Sequence, residues 1–133
     1  MHKTKCDLSI QIFALIGLMV LLSCSKNTAE FDTEAPSITI VSPTAEASFS
    51  AGENIPIQID LQENNELHEF SAVVRGENVD TAFTVLSGHL HSRNTEVTES
   101  FQLPIENATY TLTVKASDHD NNLASETIII YSN

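Results

Sequence analysis

The chain has 133 residues and a formal net charge of −12, from 18 acidic and 6 basic side chains. So acidic a surface repels phosphate backbones, because nucleic-acid affinity rests on Lys and Arg counterion release, and it attracts cations, metals included; no nucleic-acid partner is expected. Both cysteines, Cys6 and Cys24, lie within the first 24 residues, so the remainder has no thiol for a disulfide framework, a Cys zinc site or a nucleophile.

The first five residues, Met1-His2-Lys3-Thr4-Lys5, carry positive charge, and residues 12–22 form an apolar run of eleven. That run falls short of the about 20 residues a membrane-spanning helix needs and suits the apolar segment of a signal peptide. It ends in Leu21-Leu22-Ser23-Cys24, which resembles a bacterial lipobox: an aliphatic residue three before the cysteine and a small one just before it. The resemblance implies that residues 1–23 are a cleaved lipoprotein signal peptide and that Cys24 is the lipidated first residue of the mature chain. Two or three acyl chains there give stable membrane anchoring where one gives only marginal binding. The plainer alternative is an ordinary signal that leaves Cys24 as a free thiol. Loss of Lys3, Lys5 and Asp7 with the signal leaves 4 basic and 17 acidic side chains, a net of −13. The 110 residues that remain suit one domain with its own core.

Residues 24–35 are the lipidated cysteine and a polar tether, with a reach of about 30 Å when extended. Glu30, Asp32 and Glu34 make the tether acidic. This resembles the surface-export signal of Bacteroidetes-type lipoproteins, and a solvated linker accounts for it equally well. The expected location is the cell envelope, anchored by lipid to the outer membrane, in either leaflet.

From Pro36 to Asn133 the pattern is alternation, not helical spacing. Ile38 and Ile40 mark a first strand. Ile55, Ile57, Ile59 and Leu61 alternate cleanly after the Gly52-Glu53-Asn54 turn. Phe70, Ala72 and Val74 carry a third strand, residues 82–86 a weaker fourth, and Val97, Phe101 and Leu103 a fifth. Tyr110, Leu112, Val114 and Ala116 form a sixth, and residues 127–131 the last. Seven strands separated by turn signals predict an all-β, seven-stranded antiparallel β-sandwich. Tyr110 opens its strand where a tyrosine corner sits in such folds, and a half-buried strand tyrosine is the ordinary alternative.

Specific motifs sharpen the fold. Asp32-Thr33-Glu34-Ala35-Pro36 at the entry, Tyr110-Thr111-Leu112-Thr113-Val114-Lys115-Ala116-Ser117-Asp118, and Asn121-Asn122 resemble the entry and exit motifs of bacterial Ig-like domains, with Asn121 in the place of that family's glycine. The resemblance spans residues 32–133 and implies an Ig-like sandwich; it speaks to fold far more than to function. The histidines between the fourth and fifth strands are similar to those of a family of uncharacterised Bacteroidetes lipoproteins.

Ig strand order would bring the domain entry, residues 63–66, residues 87–93 and residues 118–122 to one pole, together with His68, His89, His91 and His119. For calcium, Asp118, Asp120 and Asn121 or Asn122, facing Glu63 or Glu66 and Asp32, offer hard oxygen ligands from converging loops, of which Ca²⁺ takes six to eight; Asp and Asn also make tight turns with no metal at all. For Zn²⁺ or Cu²⁺, His89 and His91 fall on one face if their stretch is extended, and His68 or His119 completes an imidazole set; solvated surface histidines are the plainer reading. Catalysis finds no support: Ser87-Gly88-His89 lacks the Gly-x-Ser-x-Gly of a nucleophile elbow, and a sandwich of this size offers little cleft for a carboxylate pair. Asp80-Thr81-Ala82 resembles the O-glycosylation motif of exported Bacteroidetes proteins, which implies a glycan on Thr81. Asn107-Ala108-Thr109 is formally a sequon.

The leading expectation is a membrane-anchored, non-enzymatic module that presents loops or sheet edges to an envelope protein or glycan partner. The alternatives are a lipoprotein that binds Zn²⁺ or Cu²⁺ through the histidine pole and a structural module stiffened by Ca²⁺. A compact cluster of His89, His91 and a third histidine favours the transition metal; histidines splayed into solvent favour the binding module.

Overall fold

A computed structural model describes residues 31–77 and 82–133, nearly all of one compact unit, Phe31–Asn133. Cys24, the signal segment and Thr81 lie outside the described residues. The described residues contain strands and no helix: Ser37–Ser42 (β1), Ser48–Phe49 (β2), Asn54–Gln62 (β3), Leu67–Gly76 (β4), Ala82–His89 (β5), Asn94–Gln102 (β6), Ala108–Asp118 (β7) and Leu123–Ser132 (β8).

Two sheets form a β-sandwich, one of three strands in the order β1-β3-β6 and one of five in the order β2-β8-β7-β4-β5. Alternation explains the layering. Ile55, Ile57, Ile59 and Leu61 of β3 point inward from the smaller sheet, and Phe70, Ala72, Val74, Tyr110, Leu112, Val114 and Ala116 meet them from β4 and β7 of the larger. A period of two puts one face of each strand on the core and the other in water. Every strand partner and the whole described core of the unit lie within Phe31–Asn133, so it has what it needs to fold alone.

The strand count differs from the seven expected. The additional strand, β2, is two residues long and pairs in parallel with β8, Ser48 opposite Tyr131 and Phe49 opposite Ser132, so the sandwich is not wholly antiparallel. Two residues cannot display a period, and the sequence around them is mostly small and polar. What fixes β2 is tertiary: Tyr131 N donates to Ala47 O and Asn133 N to Phe49 O, both at 2.9 Å.

Tyr110 is fully buried and its hydroxyl donates to the Glu106 carbonyl at 3.3 Å. This is the upstream backbone bond of a tyrosine corner.

Candidate metal centre

Four segments converge at one end of the sandwich. Glu63 N donates to Arg93 O at 2.7 Å and Leu67 N to Ser92 O at 2.9 Å, which seats residues 90–93 on the β3–β4 connection. Arg93 Nε adds a bond to Asn65 O at 2.9 Å. The domain entry joins through Asn64 Nδ2, which reaches Asp32 Oδ1 and Glu34 Oε2, and through Asn122 Nδ2, which donates to Asp32 O at 3.0 Å. The pole expected from strand order is present.

A β-bulge places the first histidine. In the β4–β7 ladder Leu67 opposes Asp118 and Glu69 opposes Ser117, which leaves His68 as the additional residue. Leu67 and Phe70 are both buried although three residues apart, so the inward phase slips by one and both His68 and Glu69 stay off the core. Bulges bend a strand and re-aim its side chains in this way. Across the next ladder Glu69 opposes His89. Leu90 packs against the core, and alternation then leaves His89 and His91 together on the outer side. Leu90 N donates to His68 O at 2.7 Å and fastens this segment to the bulge. His119, first past the end of β7, arrives in the turn that follows.

The four rings form one cluster. His68 stands 4.3 Å from both His89 and His119 between ring centroids, and His89 and His91 are 4.9 Å apart. His91 stacks on His119 at 5.4 Å, with 17° between the ring planes. Two carboxylates that sequence reasoning did not assign to this group complete it: Glu66 Oε1 lies 3.2 Å from His91 Nδ1, and Glu69 Oε1 lies 3.7 Å from His89 Nδ1. The Leu67–Phe70 spacing breaks the period and brings His68 out beside Glu69, which alternation from Phe70 already turns outward, while Glu66 stands in the connection just before β4. Ligand atoms of Glu66, His91 and His119 all lie within 4.8 Å of one another, as do those of His68, Glu69 and His89. Imidazole with carboxylate suits Zn²⁺ and Cu²⁺. His89, His91 and His119 are exposed, so an ion reaches them from solvent.

The oxygen-rich part of the pole is arranged differently. Asp32, Asp118 and Asp120 bring carboxylate oxygens within 4.8 Å of one another; Glu63 stands outside that set. Asp118 is buried, and its carboxylate already accepts from Asp120 N, Asn122 N and Asn122 Nδ2 at 2.7–2.9 Å. It therefore serves the turn it begins. Asn121 takes φ 67° in that turn, a left-handed conformation that asparagine adopts more readily than most residues. Bonds from Glu34 N first and Asn64 second hold the Asp32 carboxyl below its ordinary range. Glu63 is 8% exposed; Oε1 accepts from Asn64 N and Asn65 N, and Oε2 has no partner.

Neither a protein-family model nor a curated protein matches the chain. Eight solved chains are similar to it in fold. One is an engineered protein, 18% identical with a TM-score of 0.50, where the match covers 74% of this chain and 20% of the other. Another is a chitin-binding domain from Burkholderia pseudomallei, 12% identical with a TM-score of 0.46, covering 70% of this chain and 58% of that one. The chain thus spans about a fifth and somewhat over half of these two. The first of these, at 18% identity, speaks to the fold alone.

Proposed function

We propose that this chain is an exported, lipid-anchored protein whose Ig-like domain binds a transition metal through the histidine pole and performs no catalysis. The carrying observation is the four-ring cluster, with His68 only 4.3 Å from two of its neighbours. Residues 21–24 support the anchor, and the Tyr110 corner supports the Ig-like form. From Cys24 to Phe31 the chain spans at most about 25 Å. The entry at Asp32 is bonded to the turn that carries His119, so the cluster works close to the membrane. That position suits receipt or delivery of an ion at the envelope better than capture of a large soluble ligand.

Thermal unfolding of Phe31–Asn133 tests the reading, first in EDTA and then with Zn²⁺, Cu²⁺ or Ca²⁺ added singly. An ion at 100 times its dissociation constant stabilises by about 2.7 kcal/mol, a midpoint rise of about 10 °C or more for a domain of this size. The rise is expected with Zn²⁺ or Cu²⁺ and is expected to vanish in His89→Ala/His91→Ala. A shift with Ca²⁺ alone, lost in Asp120→Asn, replaces this reading with a stiffened structural module. No shift with any ion removes the metal and leaves a protein- or glycan-binding module.

A further inference from the structure

The ligand atoms of the histidine pole fall into two separate sets of three. One holds Glu66, His91 and His119, and the other holds His68, Glu69 and His89. No residue is shared, and each set has two imidazoles and one carboxylate. Each set rests on its own close pair, Glu66 with His91 at 3.2 Å and Glu69 with His89 at 3.7 Å. Zn²⁺ takes three protein ligands with water in the fourth position at its open sites, His₂Glu among them. Each triad is a complete set of that kind.

A single ion bound by all four rings requires more rearrangement. Imidazole centroids around one tetrahedral Zn²⁺ stand roughly 5 Å apart, given bonds of 2.0–2.1 Å; four of the ring pairs stand at 4.3–5.4 Å, but His89 and His119 lie 6.3 Å apart. The four rings also span two structural units of the pole: His68, Glu69 and His89 sit on the paired strands β4 and β5, while Glu66, His91 and His119 come from the three connections beyond the strand ends. Each dication meets its own carboxylate, and the strongly acidic chain around them offsets part of their mutual repulsion.

We propose that the pole binds two transition-metal cations side by side, one in the triad His68, Glu69 and His89 and one in the triad Glu66, His91 and His119. This rests on the metal-binding reading above. The triads touch through His68 and His119 at 4.3 Å and through His89 and His91 at 4.9 Å, so the two ions are neighbours within one cluster.

Native mass spectrometry and calorimetric titration of Phe31–Asn133 with Zn²⁺ count the ions. Two per chain are expected. Glu69→Gln/His89→Ala is expected to retain one, Glu66→Gln/His91→Ala to retain one, and the four substitutions together none. All four side chains stand at the surface or partly so, and unchanged unfolding midpoints in EDTA check that the variants fold. Saturation of the wild type at one ion, or loss of all binding in either double variant, overturns the two-ion arrangement and leaves the metal-binding reading intact. No binding by the wild type overturns both. With Cu²⁺, magnetic coupling between ions is expected in the electron paramagnetic resonance spectrum only as the second equivalent binds; two magnetically isolated ions contradict the shared cluster.

Discussion

Tyr110 sits fully buried in β7 with its hydroxyl on the Glu106 carbonyl, and it shows how one side chain reports on the connection before its strand. Burial first, and the nearby Glu106 carboxylate second, raise its pKa above the ordinary 10.0. A raised pKa here means that the fold prefers the neutral phenol. The stabilisation is therefore complete below about pH 10 and is lost as pH climbs through the folded-state value. Tyr110→Phe should cost about 1 kcal/mol in urea unfolding at neutral pH, through loss of one buried hydrogen bond. The gap between variant and wild type should then narrow above about pH 10, because the phenylalanine has no proton to lose; a gap that widens there contradicts the assignment. The position of this tyrosine was legible from the sequence, since it opens a strongly alternating strand. Its bond to Glu106 was not, because both readings of a strand tyrosine share one pattern.

At the scale of elements, the β4 bulge and the β4–β5 ladder build the histidine face together. Phe70 opposes Gly88, and a Cβ added at Gly88 would meet the Phe70 ring edge at 2.8 Å. The glycine leaves room for that ring immediately beside His89. Gly88→Ala should destabilise by ~1–3 kcal/mol, the usual range for overpacking, and Phe70→Leu in the same chain should recover part of it; a change under about 0.5 kcal/mol contradicts the packing account. The alternating strands were readable because their apolar residues repeat every second position. Two elements were not. β2 is too short to carry a period, and β4 carries a phase slip between Leu67 and Phe70 that a strict alternation rule starts too late, at Phe70. The slip is what turns His68 outward beside Glu69, so the pairing of that histidine with the Glu69 carboxylate was not readable from alternation.

Over the whole molecule, two sheets of alternating aliphatic residues hold one end of the sandwich together so that four connecting segments meet there. The gathering of His68, His89, His91 and His119 was legible once strand order was inferred, because antiparallel strands return their connections to a common end. Ring distances and the division into triads depend on side-chain placement that no linear pattern contains. The acidic balance suits cation capture, and among the described residues the histidine cluster offers the chemistry a borderline-soft metal prefers. X-ray absorption at the zinc edge on Zn²⁺-loaded Phe31–Asn133 reads that chemistry directly. The account predicts a nitrogen and oxygen shell at about 2.0–2.1 Å with the outer scattering of two imidazoles per zinc. An oxygen-only shell with no imidazole scattering would place the ion on the acidic turn instead and contradict the histidine site.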